Sequence, residues 1–231
     1  MDTLFQDLRQ GLRSLTKSSA FTAVALLTVA IGIGANTAIF SVVSAVLLTP
    51  QPYPDAERIV RVREELPMLR GMSGASIMTA DTLENWRDEA ETLDALAGYR
   101  PASVTLTGAG EPVRLRGAEV SADMFRLLRV TPIVGRVFER LEERPGANHV
   151  VVLSHTGWQQ RFGGDPDIVG RPLRLDDNPH TVVGVMPQGF YFPDRETELW
   201  TPLVTMVPNR QPGEIIAFQG LGRVKPDVSI E

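Results

Sequence analysis

Few residues in this chain are of a type and spacing that could do chemistry. Ser154 stands beside His155, a pairing from which a base-activated hydroxyl nucleophile could be built. Adjacency in sequence does not supply the three-dimensional geometry of a triad, and no nucleophile elbow surrounds this serine. A serine at the head of a helical pattern is explained more simply as a cap, its oxygen accepting from a first-turn N–H. Asp176, Asp177 and His180 offer three metal-ligating side chains. Asp and Asn are the ordinary residues of a hairpin turn, however, and no further ligand spacing accompanies them. His149, His155 and His180 form no HExxH pattern. Cysteine is absent, which removes disulfides, thiolate nucleophiles and Cys-based zinc sites. No GxxxxGK[ST] phosphate loop is present, so any ATP consumed on behalf of this chain is bound by another. Gly32 to Asn36, GIGAN, has a superficial likeness to a dinucleotide loop but lacks the third Gly and the preceding strand. The residues predict no catalytic, metal or cofactor site, and the chain is expected not to be an enzyme.

What must then be explained is an uneven distribution of apolar residues. The net charge of −5 over 231 residues gives no basic footprint for nucleic acid, which excludes that class of partner. Between Lys17 and Asp55 there is no charged residue at all. Ala20 to Leu48 exceeds the roughly 20 residues that cross a bilayer's hydrocarbon. As a continuous helix it would be about 43 Å long, so it is expected to tilt or to project beyond the membrane. A cleaved signal peptide is the rival reading, because Arg9, Arg13 and Lys17 precede the run. Its apolar region would be only about 7 to 15 residues long, and length therefore favours an uncleaved anchor.

Residues 1–19 form a lead-in in which Leu4, Phe5, Leu8, Leu12 and Leu15 recur at helical spacing. They fit either an amphipathic helix on the cytoplasmic membrane surface or a simple extension of the anchor. Arg58, Arg61 and Arg63 follow the span, so the charge bias across it is nearly even; the nearness of Lys17 to the apolar boundary favours a cytoplasmic amino terminus. Within the span Gly32, Gly34, Ala35 and Ala38 are small and Asn36 is polar. Such residues allow close approach of helices in lipid and are the candidate packing positions against neighbouring helices.

After residue 48 the chain reads as one outer domain, residues 49–231. Pro50, Pro52 and Pro54 end the helix, and Arg58 to Glu64 reads as a strand. Leu69 to Met78 reads as a flexible stretch. The stripe Leu83, Trp86, Ala90, Leu93 and Ala97 predicts a helix, with an Asp81–Glu84 capping box and a stop at Gly98. Ser103 to Leu106 and Val113 to Val120 read as strands joined by the turn at Gly108 to Gly110. Ser121 is expected to cap a short helix ending by Leu128, before Thr131-Pro132. Val150 to Leu153 reads as a buried strand, followed by a helix capped by Ser154, in which Trp158 and Phe162 stack, and closed by Gly163 to Pro166. Pro172 to Leu175 and Thr181 to Val185 read as a hairpin around Asp177-Asn178, Leu199 to Leu203 as a further strand, and Gly222 to Ser229 as a strand leading to a helix cap. Strands and short helices in mixed order predict an α+β domain. The broken-off cap makes the sequence read as a fragment of a longer protein.

Several segments together resemble the amino-terminal part of MacB/FtsX-like ABC transporter permeases, particularly the acidobacterial-type duplicated permeases. They are DLRQGLRSL, FTAVALLTVAIGIGANTAIFSVVSAVLLTPQPYP, VRLRGAEVSADMFRLLRVTPIVGRVF, VVVLSHTGWQQRFGGDPDIVGRPLRLDDNPHTVVGVMPQGFYFP and LWTPL. They stand in the family's order and cover most of the chain. The resemblance implies a first transmembrane helix, a MacB-like periplasmic core domain of α+β type, and further spans beyond Glu231. It implies a bacterial inner (plasma) membrane location with the core domain periplasmic or extracellular.

The implied partners are a cytoplasmic ABC ATPase subunit, a second permease in a homodimer or pseudo-dimer, membrane lipid and a periplasmic partner protein. In that family ATP-driven motion is transmitted across the membrane to the outer domain, in transport, efflux or activation of a partner outside the membrane. Members of the broad family handle antibiotics, peptides, lipoproteins or cell-wall hydrolases. The family carries no catalytic residues into this region. Its FGGDP and IVGR segments, Phe162 to Pro166 and Ile168 to Arg171, read as turn and packing features, with Gly170 and Gly184 at positions of special backbone geometry. The alternative from another class is a single-pass anchored interaction or sensor protein.

Overall fold

Ser19–Leu47 forms one 29-residue helix, α1. Its stretch Ala20–Ser41, of mean hydropathy 2.0, is long and apolar enough to cross a membrane. The computed structural model describes residues 19–47, 53–65, 77–108, 110–205 and 215–228. The lead-in predicted over residues 1–19 lies outside these apart from Ser19, and the flexible reading of Leu69 to Met78 does so up to Ser76. Two compact units divide between Gln51 and Pro52.

The outer unit is α+β, as expected. A 3-10 turn, Ala56–Arg58, leads into β1 (Ile59–Val62). The strand β2 (Met78–Thr79) and helix α2 (Ala80–Glu89) follow. Then come the fifteen-residue β3 (Leu93–Thr107), β4 (Val113–Val120) and a four-residue helix α3 (Met124–Leu127). Next are β5 (Val134–Gly135), a 3-10 helix Arg140–Glu143, β6 (Val150–Leu153) and α4 (His155–Phe162). The last strands are β7 (Pro172–Leu175), β8 (Asn178–Val185), β9 (Leu199–Pro202) and β10 (Ala217–Val224).

The strand pairings close a circuit, β3–β4–β9–β6–β8–β7 and back to β3. The apolar cluster of this lobe draws on each of those strands. Leu115, Val151, Leu153, Leu173, Leu175, Val182, Val185 and Leu199 pack there with Val104 and Leu106 of β3, and Trp158 and Phe162 of α4 join them. A second, aromatic cluster contains Tyr99, Phe125, Phe138, Phe190, Phe192 and Trp200. Trp200 is fully buried, its indole N–H donating to the Phe192 carbonyl at 2.8 Å. A third cluster, with Met78, Leu83, Leu96, Leu203 and Phe218, seats α2 on the sheet extension formed by β3, β10 and β1.

Several local expectations are corrected. Helix α2 stops at Glu89, so Leu93 and Ala97 belong to β3 and Gly98 lies mid-strand. Gly98 is needed there because a Cβ would meet the Phe218 ring at 2.4 Å. The cap of α2 is Thr79, whose side chain accepts from Thr82 N, in place of the Asp81–Glu84 box. Met78 is a fully buried strand residue, not part of a flexible stretch. Ser121 does not cap α3. Its hydroxyl oxygen accepts from Gly98 N at 3.0 Å, tying β3 to the chain after β4. The hairpin turn is Asp176-Asp177, one residue earlier than expected, with both residues at positive φ (46° and 64°). That is the two-residue turn whose twist matches its flanking strands.

Other expectations hold. Ser154 caps α4, accepting from Gly157 N at 3.0 Å, and Gly163 ends it at φ 63°. The expected stacking of Trp158 on Phe162 is corrected: both pack against the same apolar cluster, but the ring against Trp158 is that of His155, edge-on at 5.6 Å.

Gly170 and Gly184 are special for different reasons. Gly170 has φ +90° with open space around a built Cβ, whereas a Cβ on Gly184 would stand 2.2 Å from the Arg136 carbonyl oxygen. Gly184→Ala is therefore expected to lower the stability of the detergent-solubilised chain by about 3 kcal/mol or more, through forced backbone displacement. Gly170→Ala should cost only about 1 to 2 kcal/mol, the left-handed penalty alone. Urea unfolding of the two variants checks the order.

Candidate functional site

The residues singled out in the sequence do not converge on one place. Gly32, Gly34, Ala35, Asn36 and Ala38 all lie on α1 and are exposed along it. At about 100° per residue they fall into two adjoining rows, Gly32/Ala35/Asn36 and Gly34/Ala38. A Cβ on Gly32 or Gly34 would meet nothing within 4 Å. Ser154 and His155 are engaged separately, the first in its cap and the second against Trp158. Asp176 and Asp177 tie the hairpin turn to β3. The Asp176 carboxylate accepts from Thr105 N at 2.8 Å and that of Asp177 from the Thr107 hydroxyl at 3.3 Å. His180 Nδ1 lies 3.1 Å from the Asn178 carbonyl, and its ring meets that of His149 edge-on at 5.2 Å.

The most heavily built polar site lies where the chain following α1 joins the outer unit. Arg223 sits in β10 opposite Ile59 of β1, with none of its surface exposed. Its Nε donates to the Leu127 carbonyl at 2.5 Å, Nη1 to that of Asp55 at 3.1 Å, and Nη2 to that of Pro54 at 2.9 Å. Leu127 is the last residue of α3, so its carbonyl is one that the helix itself leaves without a partner. Burial pulls the Arg223 pKa down from its ordinary value, and Arg129 acts in the same direction. Its hydrogen bonds go to neutral carbonyls, while the Asp55 and Asp94 carboxylates support the cation through charge attraction.

Around it, Asp55 and Arg129 both adopt left-handed backbone, at φ 49° and 55°, and their side chains form an ion pair. Arg58 donates to the Val224 carbonyl at 3.1 Å and also to that of Lys225. Tyr53 donates to the Tyr191 carbonyl at 2.7 Å, and burial raises its pKa. Sequence reasoning missed Arg223. Its signal was the one charged residue of a strand that also carries Phe218, Leu221 and Val224.

A second charged cluster joins α2 to the 3-10 helix. Arg87 donates to both oxygens of Glu143, at 2.8 and 3.1 Å, and Glu143 also accepts from Ala122 N at 2.6 Å. Arg87 Nε stands 3.3 Å from Asp123 Oδ2, close enough for charge attraction although neither atom has a well-formed hydrogen bond. The side chains of Arg87 and Glu143 are 3% and 4% exposed, which removes solvent screening.

A family model for the MacB-like periplasmic core domain matches residues 22–231. The chain belongs to that family. The fold of this MacB-like chain is similar to the periplasmic region of MacB from Actinobacillus actinomycetemcomitans. The TM-score is 0.55 at 14% identity, over 74% of this chain and 76% of that one. It is also similar to the extracellular domain of the noncanonic ABC-type transporter YknZ from Gram-positive bacteria, with a TM-score of 0.51 at 11% identity over 73% and 83% of the two chains. A domain of a protein described as a permease, from Porphyromonas gingivalis, gives a TM-score of 0.54 at 14% identity over 77% and 79%. No curated protein matches the chain in sequence.

Two outcomes follow for this MacB-like domain. Arg87→Met should destabilise it by about 3 to 5 kcal/mol, since it strands the buried Glu143 carboxylate, and the double variant Arg87→Met/Glu143→Leu should recover much of that loss in urea unfolding. Burial lowers the His180 pKa below its ordinary value, and His149 adds to this while Asp176 opposes it. The contribution of His180 to stability is then complete above about pH 6.5 and is lost as pH falls through the folded-state pKa. His180→Gln should flatten the fall in melting temperature between pH 7 and pH 5.

Proposed function

We propose that this chain is the permease subunit of an ABC-type exporter or mechanotransmission complex in a bacterial inner membrane. In this reading α1 crosses the membrane with its amino terminus in the cytoplasm, and the MacB-like domain lies on the periplasmic or extracellular side. A partner ATPase hydrolyses ATP, and the resulting movement reaches the outer domain through the chain that connects it to α1. The observation that carries the reading is one of order: an apolar helix of spanning length runs in sequence into a MacB-like core domain. Two of the similar structures come from proteins named as an ABC-type transporter and as a permease, which supports the same assignment.

No GxxxxGK[ST] phosphate loop stands in residues 1–231, which supports assigning nucleotide chemistry to a partner ATPase. The outer domain's polar side chains described above are used in caps, turns and ion pairs, which supports a role in moving or binding and not in catalysis. On α1 the exposed rows Gly32/Ala35/Asn36 and Gly34/Ala38 supply two close-packing faces, suited to neighbours on two sides in a permease dimer or pseudo-dimer.

The test is purification of the tagged chain from its own bacterium after mild crosslinking. A P-loop ATPase should be recovered with it, and Asn36→Leu with Gly34→Leu should reduce that recovery several-fold while leaving the chain in the membrane. Recovery of envelope partners with no ATPase would overturn the permease reading in favour of a single-pass anchored interaction or sensor protein.

A further inference from the structure

Strand β10 stands between two parts of the outer unit that a transmitted movement must join. On one side it pairs with β1, the strand that follows α1 in the chain, and on the other with β3. Strand β1 is four residues long and, among the described residues, pairs with β10 alone. Four paired positions at a sheet edge are a weak attachment for the end where the chain enters, since the bonds of Glu64 to Ile77, Thr79 and Thr82 lie past the other end of the strand.

Arg223 supplies what the pairing lacks. One guanidinium holds three carbonyls, two from the incoming Pro54-Asp55 and one from the end of α3. Its planar fork sets the relative position of those segments in a way that a flexible ammonium would not. Asp55 and Arg129, both in left-handed backbone and ion-paired to each other, flank it. Such conformations persist only where surrounding contacts over-determine them. Arg58 adds a second stitch in the reverse direction, from the turn before β1 to the carbonyls of Val224 and Lys225.

Resting on the permease reading above, we infer that Arg223 is the positioning residue that locks the chain arriving from α1 onto β10, so that displacement of that chain is passed into β3 instead of being absorbed by loosening of β1. The lock acts through backbone carbonyls, so its strength depends on where the two segments lie and not on which side chains they carry.

Residues 1–231 contain no cysteine, so in a full-length permease cleared of any cysteine beyond them the lock can be replaced by a switchable one. Ile59 and Arg223 are directly paired across β1 and β10. Opposed antiparallel residues have Cβ atoms about 4.5 to 5.5 Å apart, near enough for a disulfide after a small adjustment. The experiment uses the full-length permease with its ATPase in lipid nanodiscs and reads amide hydrogen exchange with and without ATP. Arg223→Lys and Arg223→Cys should raise exchange at β1 at least tenfold, leave β6 and β8 unchanged, and reduce the ATP-dependent change on β3 and β4 at least fivefold. Oxidised Ile59→Cys/Arg223→Cys should restore both values, and a reducing agent should remove them again.

Unchanged exchange at β1, or a loosened β1 with the ATP response on β3 and β4 intact, overturns the inference while leaving the permease reading in place. A wild-type complex with no ATP response anywhere in the outer domain overturns that reading, and the coupling role with it. Should Arg223→Cys unfold, seen as raised exchange at β6 and β8, the oxidised pair decides alone: a regained response supports the lock, and its absence from folded, crosslinked protein overturns it.

Discussion

The hydrogen bonding of β3 is the constraint on which the rest of the outer domain depends. Its first half pairs with β10, its second half with β4, and its last two residues with β7. A fifteen-residue strand is long beside the usual five or six, and here the length is used to belong to two lobes at once. The portion Ala95–Tyr99 is buried throughout, which requires small side chains where α2 and the aromatic cluster close on it from either face. Ala95, Ala97 and Gly98 meet that requirement, and Gly98 has no freedom to change because the Phe218 ring occupies the space.

The same requirement explains where the sequence was misleading. Ala90, Leu93 and Ala97 continue the helical spacing of Leu83 and Trp86, and alanine is the best helix former, so local preference extends α2 by two turns. Packing overrides it: a strand buried on both faces also needs alanine, for lack of room. Elements whose signals were local and strong were legible, among them the long apolar helix, the Ser154 cap, the Gly163 stop and the hairpin. Strands β2 and β5, of two residues each, carry no periodicity to read. The capping residue of α2 was missed because Thr79 precedes a plausible Asp81–Glu84 box, and only the placement of Glu64 decides between them. The Glu64 carboxylate accepts from both threonine hydroxyls, Thr79 at 2.8 Å and Thr82 at 2.7 Å.

Two buried arginines in this domain are stabilised in opposite ways. Arg87 is matched by carboxylates, and the Glu143 carboxylate also accepts from Ala122 N, so the group fixes α2 against the chain on either side of α3 although Arg87 Nε and Asp123 Oδ2 meet through charge alone. Arg223 hydrogen-bonds only to carbonyls, with Asp55 and Asp94 acting on it through charge alone. A carboxylate partner would bring its own desolvation cost and would bond equally well from several rotamers, whereas a carbonyl sits where the backbone puts it. The difference suits their positions. The first holds a helix within the body of the domain, and the second holds a segment whose other end belongs to α1.

This choice has a consequence for how the joint can fail. A slip of β1 by one residue along β10 would turn the Ile59 side chain away from its cluster and shift Asp55 and Pro54 by about 3.3 Å relative to the guanidinium. Two donors of the buried cation would then be left without acceptors, a state costing several kcal/mol in addition to the lost strand pairing. Intermediate positions are therefore disfavoured, and the segment is either seated or released. A joint of that kind transmits small displacements rigidly and yields only to a load large enough to free the arginine, which is the mechanical behaviour that the proposed permease role would require of it.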